Sequence, residues 1–210
     1  MSVLDDHYYA TGYSTDNDPY VYENGVLINL YGIQDTASLN EIESTYSALN
    51  LRELSLNPPE PRFTQQYHIA LHHLIFKEVY PWAGELRVVD ICKASTTFME
   101  NEKIADSLEQ LFLRLNAVND CKGMSHAEFS DFIGIFLSQL NFIHPFREGN
   151  GRTQRFLISE IARNADFYMD WNTVSPETMN NACIDGIAGQ YRKAQRLILL
   201  NSRPESLLGN

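Results

Sequence analysis

The chain has 210 residues, 44% of them hydrophobic, and 16 Lys and Arg against 27 Asp and Glu give a formal net charge of -11. That length and apolar content suit one compact domain with small appendages, while the acidic balance opposes the general attraction to phosphate backbones, so no direct nucleic-acid partner is expected. Three cysteines, Cys92, Cys121 and Cys183, lack zinc-ligand spacing and read as reduced, packed thiols of a cytoplasmic protein.

The first residues, MSVLDDHYYATGYSTDND, carry no cationic stretch leading into an apolar one, and no apolar run is long enough to span a bilayer. No membrane partner is expected; delivery into a host cell by a dedicated secretion machine stays open. Residues 1–25 have no helical period and read as an arm lying on the domain. From Ser38, the series S-L-N-E reads as a capping box opening a helix that carries Leu39, Ile42, Tyr46 and Leu49 to the early fifties. After the break at Pro58, Pro59 and Pro61, the period of Phe63, Tyr67, Leu71, Leu74 and Ile75 predicts a helix toward Val79, stopped by Pro81 and Gly84. His68 and His72 stand at i, i+4 spacing on it, but with no third ligand in view they read as structural histidines.

The stretch ELRVVDICKASTTFM is rich in β-branched residues around a polar centre and is the one good hairpin candidate. Everything after it reads as helical: residues 104–118, then the apolar run SDFIGIFLSQLNFI behind a Ser125/Glu128 capping box, a helix from Asn150, another from Ser175-Pro176, and a last one over residues 187–200. There is no internal repeat.

The chemistry concentrates in HPFREGNGRTQR, His144 to Arg155. Pro145 ends the apolar helix, so His144 sits at a helix terminus. Phe146 is expected to plug into the core. Gly149, Asn150 and Gly151 tolerate the backbone angles that turn successive N–H groups inward, forming an anion nest at the start of the next helix. Arg152, Arg155 and Ser159 share a face at i, i+3 and i+7, which would set two guanidinium forks beside that nest as a polyphosphate clamp. Glu148 offers a hard oxygen of the kind magnesium takes when phosphate and water complete its shell. His144 titrates near neutrality and suits a general base. The absence of a third glycine, with Gln154 in its place, rules out the dinucleotide fingerprint.

The stretch resembles the signature of the Fic (filamentation induced by cAMP) domain family, H-x-F-x-[D/E]-G-N-G-R-x-x-R, at every fixed position: His144, Phe146, Glu148, Gly149, Asn150, Gly151, Arg152 and Arg155. The segment from His72 to Phe98 is similar to the family's YPWAG segment and β-hairpin flap, and PYVYENGVLINLYGI to the start of its toxin-type members, so the likeness covers about residues 19–200. It implies an all-α helical bundle with a small β-hairpin flap over the active site: an arm at 1–25, a Fic domain at 26–200 with the flap about 86–98 and the motif at 144–155, and a tail at 201–210.

The resemblance implies a protein adenylyltransferase that moves AMP from ATP, with Mg2+, to a hydroxyl of a target protein. It makes His144 the catalytic base and Glu148 the metal ligand. It assigns nucleotide binding to Arg147, Glu148, Gly149, Asn150, Gly151, Arg152 and Arg155, with Asn181 added on the adenine side. Ile91, Cys92, Lys93 and Ala94 of the flap would pair with the target as an added strand. The family's inhibitory pattern, [S/T]-x-x-x-E-[G/N], occurs once, as TTFMEN at Thr96 to Asn101, inside the flap where an inhibitory helix has no place. Inhibition is therefore expected from a separate small antitoxin whose glutamate reaches Arg155. The implied targets are subunits of DNA gyrase and topoisomerase IV, with host small GTPases as the alternative. Two further readings remain beside these: a Fic transferase using another nucleotide donor, and a binding module whose site is vestigial.

Overall fold

The computed structural model describes residues 9–10, 18–93 and 96–207. Within them the chain is mostly helical. Strand β1 (Tyr9–Ala10) is followed by α1 (Thr36–Leu56) and α2 (Gln65–Phe76), then the flap strands β2 (Ile91–Lys93) and β3 (Thr96–Thr97). Helices α3 (Ile104–Ala117), α4 (His126–Ile143) and α5 (Asn150–Asn164) come next, and β4 (Phe167–Met169), α6 (Pro176–Ile187), α7 (Arg192–Asn201) and β5 (Ser202–Pro204) close the order. No helix among the described residues is long and apolar enough to cross a membrane.

The core is organised around α4, against which α3, α5, α6 and α7 all pack. Helix α4 is apolar on most of its circumference, burying Phe129, Ile133, Phe136, Leu137, Leu140 and Ile143, as a central helix must when neighbours surround it. A Cβ on Gly134 would come within 2.5 Å of the Gln195 backbone, so α7 crosses α4 where side chains are smallest. Helix α3 buries one stripe, Ile104, Leu108, Leu111, Phe112 and Leu115, at 3.6-residue spacing. The Ser125/Glu128 capping box forms in both directions and opens α4 as its spelling predicts.

Several boundaries differ from the sequence reading, each for a local reason. Helix α1 is capped by Asp35, whose carboxylate accepts from Ser38 N at 2.8 Å, so Ser38 lies inside the helix rather than at its cap. Helix α2 begins after Thr64, which caps it, and ends at Phe76. The last helix starts only at Arg192, because α6 closes through Gly189 in the left-handed region.

The chain after the flap is not wholly helical. Strands β4 and β5 pair antiparallel, Tyr168 opposite Arg203, so residues 202–204, read as tail, stitch the end of the chain beside α5. The arm likewise ends earlier than residue 25. Tyr20 and Val26 are core residues, and Asp18 is buried against Arg147. Strand β1 adds to the flap, Tyr9 opposite Cys92 and Ala10 opposite Ile91, in a three-stranded sheet of order β1-β2-β3. The rest of the expected arm, residues 1–8 and 11–17, and residues 208–210 of the tail lie outside the described residues.

Candidate active site

His144 stands at the C-cap of α4 in the left-handed region, φ 46 and ψ 64. A non-glycine residue pays about 1 to 2 kcal/mol for that conformation, and the surrounding hydrogen bonds hold it there. The carbonyls left over at the end of α4 are all served. Leu140 O accepts from His144 N at 3.0 Å, and Phe142 O from Met99 N at 3.0 Å. Ile143 O and His144 O both accept from the Arg87 guanidinium.

Asn141 O lies 3.1 Å from His144 Nδ1. A carbonyl only accepts, so Nδ1 carries the proton and Nε2 keeps the lone pair, the tautomer a base requires. The ring is 2% exposed, with Phe98 stacked on it at 3.9 Å between centroids. Burial pushes its pKa down to about 3, against the Asn141 bond and together with the Arg87 and Lys93 charges, so the ring is neutral at physiological pH.

The loop beyond is shaped from beneath. Phe146 is fully buried and stacks on His72 at 3.8 Å, which fulfils its expected role as a plug. His72 Nε2 donates to Glu148 O, 3.0 Å away, and its Nδ1 accepts from Gly84 N at 2.9 Å, so both ring nitrogens brace backbone. Asn150 turns its side chain back on the loop, Oδ1 accepting from Phe146 N at 2.9 Å and Nδ2 donating to Phe146 O at 2.7 Å. Its amide therefore fixes the loop. Gly149 caps α5 at φ 80, and a Cβ there would meet the Phe76 ring at 2.3 Å, so no other residue fits.

Thr153 N makes the first backbone bond of α5, to Gly149 O at 3.1 Å. Helix geometry then leaves the N–H groups of Asn150, Gly151 and Arg152 without an intrahelical acceptor, and these make the positive end of α5 an anion site. Glu148 rims it, its carboxylate accepting from Gly149 N at 2.7 Å. A magnesium ion fits this donor set only as one brought in by phosphate. Glu148 is a single hard carboxylate at the nest, and no group of three His, Cys, Asp or Glu that could hold a metal exists among the described residues.

The two motif arginines of α5 diverge. Arg152 turns to α1, donating to Glu43 and to Ser47 Oγ at 3.0 Å, with Phe76 beneath its guanidinium at 4.7 Å and Glu148 at 3.7 Å. Glu43 also accepts from the Tyr80 hydroxyl. Arg152 thus reaches the nest as a fixed charge. Arg155 stays half-buried, and its charge and that of Lys93 both act on Cys183, whose pKa burial nonetheless raises to about 11.

Two predicted nucleotide residues are placed elsewhere. The Arg147 guanidinium is buried and donates to Asp18 at 3.1 Å, fastening the chain's start to the motif loop. Asn181 is exposed, about 200° around α6 from Cys183, the residue of that helix on which the Arg155 charge acts. In the flap, Ile91 is buried and Cys92 and Lys93 are half-buried; Ala94 lies outside the described residues. The outer edge of β2, proposed for target pairing, already carries β1. Glu100 of the TTFMEN match pairs with Lys103 at 2.8 Å. A cleft of about 370 Å³ opens along α5, lined by Arg152, Arg155, Leu51, Ser55, Ser159 and Trp171 among others.

Sequence reasoning passed over Arg87, Glu43, Tyr80 and Asp18. A carboxylate within α1 reads like any surface glutamate. Only the near-contiguity of Arg87 with the YPWAG segment could have drawn attention to it.

A Fic/DOC family profile matches residues 62–162. The chain is 32% identical over 179 residues to the probable protein adenylyltransferase y4lH of Sinorhizobium fredii, covering 84% of this chain and 92% of that one. It is 36% identical over 190 residues to the protein adenylyltransferase VbhT of Bartonella schoenbuchensis, where it spans 90% of itself but 40% of the relative's length. Among solved structures, the N-terminal Fic domain of a VirB-translocated Bep effector from Bartonella quintana, with bound ADP, superposes at a TM-score of 0.82, with 27% identity over 90% of this chain and 97% of that one. BepC of Bartonella tribocorum, with bound AMPPNP, gives 0.80, with 26% identity over 88% and 96%. The chain belongs to the Fic/DOC family.

Proposed function

We propose that this chain is a protein adenylyltransferase that transfers AMP from ATP to a hydroxyl side chain of a target protein. One observation carries the reading: a neutral histidine with its lone pair on Nε2 stands a few residues before a helix start whose N–H groups form an anion site. A base and a phosphate cradle on one rigid turn are what attack on a nucleotide requires. Relatives named protein adenylyltransferase, and Fic structures holding ADP and AMPPNP, support an adenine nucleotide as donor.

The target oxygen bonds to the α-phosphorus as its proton passes to His144 Nε2. The bond from that phosphorus to the bridging oxygen of the β-phosphate breaks, and pyrophosphate leaves. The N–H groups of Asn150, Gly151 and Arg152 hold the phosphates, with the Arg152 charge behind them, and Arg155 meets the γ-phosphate. Glu148 would hold magnesium, which supplies charge neutralisation on the pyrophosphate. Arg147 and Asn150 serve by fixing the loop.

Ile91 to Ala94 register the target as an added strand, which must displace β1 or extend the sheet at Thr96–Thr97. A small antitoxin presents a glutamate to Arg155, and the neighbouring cleft along α5 supports a helix docking there. The targets assigned are subunits of gyrase and topoisomerase IV. The second reading, transfer to a host small GTPase after delivery, draws support from the structural relatives described as VirB-translocated effectors.

The test is incubation of the protein, freed of any antitoxin, with Mg2+, α-32P-ATP and bacterial lysate, beside His144→Ala. A labelled band that the variant fails to produce, by about 10²-fold or more, is expected. No label from ATP but label from another nucleotide points to a different donor, and silence with every donor removes the reading.

A further inference from the structure

We propose that Arg87 is a positioning residue for His144, tying the backbone of the base to the root of the flap so that base and target-binding hairpin keep one geometry. The inference rests on the reading of His144 as the base. Arg87 lies four residues before β2, and its side chain is 0% exposed. Its Nε donates to His144 O at 2.8 Å and its Nη2 to Ile143 O at 3.3 Å. On the other side Nη1 donates to Val89 O at 2.6 Å and Nη2 to Met99 O. Its own backbone N donates to Pro145 O at 2.9 Å.

Val89 precedes β2 and Met99 follows β3, so one planar group holds both roots of the hairpin and the end of α4. The nearest carboxylate, Asp90, is 3.8 Å away, and its Oδ1 is engaged with Asn101 N at 2.7 Å. Every direct bond of the guanidinium therefore goes to a main-chain carbonyl. A buried cation held this way is a poor stability element, because an apolar side chain of equal volume would avoid the desolvation cost. What only a rigid fork of five donors supplies is simultaneous reach to carbonyls of two segments.

The base gains most from this. With its carbonyl held by Arg87 and Nδ1 held by Asn141, the left-handed backbone and the ring orientation of His144 are fixed from both ends. Phe98, next to Met99, lies on the ring, so a shift of the flap root is felt at His144 directly.

Arg87→Lys keeps the charge but gathers its three N–H donors on one nitrogen, which cannot reach both segments; Arg87→Gln is made in parallel in case a buried lysine unfolds the chain. The ring nitrogens of His144 are followed by 15N NMR, binding of magnesium–ATP by calorimetry, and label transfer from α-32P-ATP to lysate protein over a range of ATP concentrations up to saturation. In a folded variant the His144 ring is expected to leave its single Nδ1–H tautomer, magnesium–ATP binding to stay within about threefold, and transfer to fall tenfold or more with KM for ATP unchanged. A His144 ring that keeps its signals overturns the inference, as does a loss of nucleotide binding as large as the loss of rate. Unfolding of both variants overturns it as well, since Arg87 would then serve the fold at large. A failure of the base reading shows separately, as full transfer by His144→Ala.

Discussion

Replacing Glu43 by Gln tests whether Arg152 is held for the nest by α1. Glu43 lies about two turns inside α1, its side chain 12% exposed, and accepts from both the Arg152 guanidinium and the Tyr80 hydroxyl. Glutamine keeps the carbonyl oxygen for one of those donors and removes the charge. A hydrogen bond to a charged group is worth about 1.5 to 3 kcal/mol, and Arg152 retains Ser47, the Phe76 face and Glu148. The expected loss of stability is therefore about 2 kcal/mol, a fall in Tm of roughly 4 to 8 °C for a chain of this length.

A second consequence follows from direction. Arg152 Nη2 is already 3.7 Å from Glu148, and without Glu43 its charge turns to that carboxylate, the one assigned to magnesium. ATP binding should then need more magnesium, read by calorimetric titration at several magnesium concentrations beside a thermal melt. A Tm within 1 °C of the unsubstituted protein and an unchanged magnesium requirement would refute the argument that Glu43 fixes Arg152.

Three other outcomes are expected. Gly149→Ala places a Cβ on a residue with φ 80 and 2.3 Å from the Phe76 ring, so Tm should drop and ATP binding weaken together; a variant that binds ATP normally would show the cradle to be less tight than it is drawn. Removing residues 1–17, which include β1, should raise target labelling because the outer edge of β2 is uncovered; equal or lower labelling counts against that edge as the target's. His68 is fully buried against Phe112 and Phe146 with neither ring nitrogen hydrogen-bonded, and burial lowers its pKa to about 3. Its folded pKa is below the unfolded value of about 6.5, so the unfolded chain takes up more protons between those values and stability is lost as pH falls from 6.5 toward 3. His68→Phe removes that loss, and its stability relative to the parent should improve by about 1.4 kcal/mol between pH 7.5 and 5.5 in denaturant titrations; a difference that stays constant with pH would contradict a buried neutral His68.

Much of this protein is written locally in the chain. Helix periods, the Ser125/Glu128 box, Pro145 after His144 and the glycines of the loop act over a few residues, so the bundle, the flap and the motif's helix start could be placed from spelling alone. Their edges shifted where caps compete, as when Asp35 takes the cap that Ser38 seemed to offer. Only the tertiary structure decided which charges face which. Arg152 and Arg155 share a helix face by spacing, yet Arg152 is drawn to Glu43 and Ser47 of α1 while Arg155 lines the cleft along α5; Arg147 is spent on Asp18, 129 residues away in sequence. Strands β1 and β5 found partners far along the chain, and two- or three-residue strands have no period of their own to read. The physical reason is common to all of them. An ion pair or a short strand is decided by which groups the packed helices bring within a few ångströms, and that distance is set by the whole core rather than by the residues that use it.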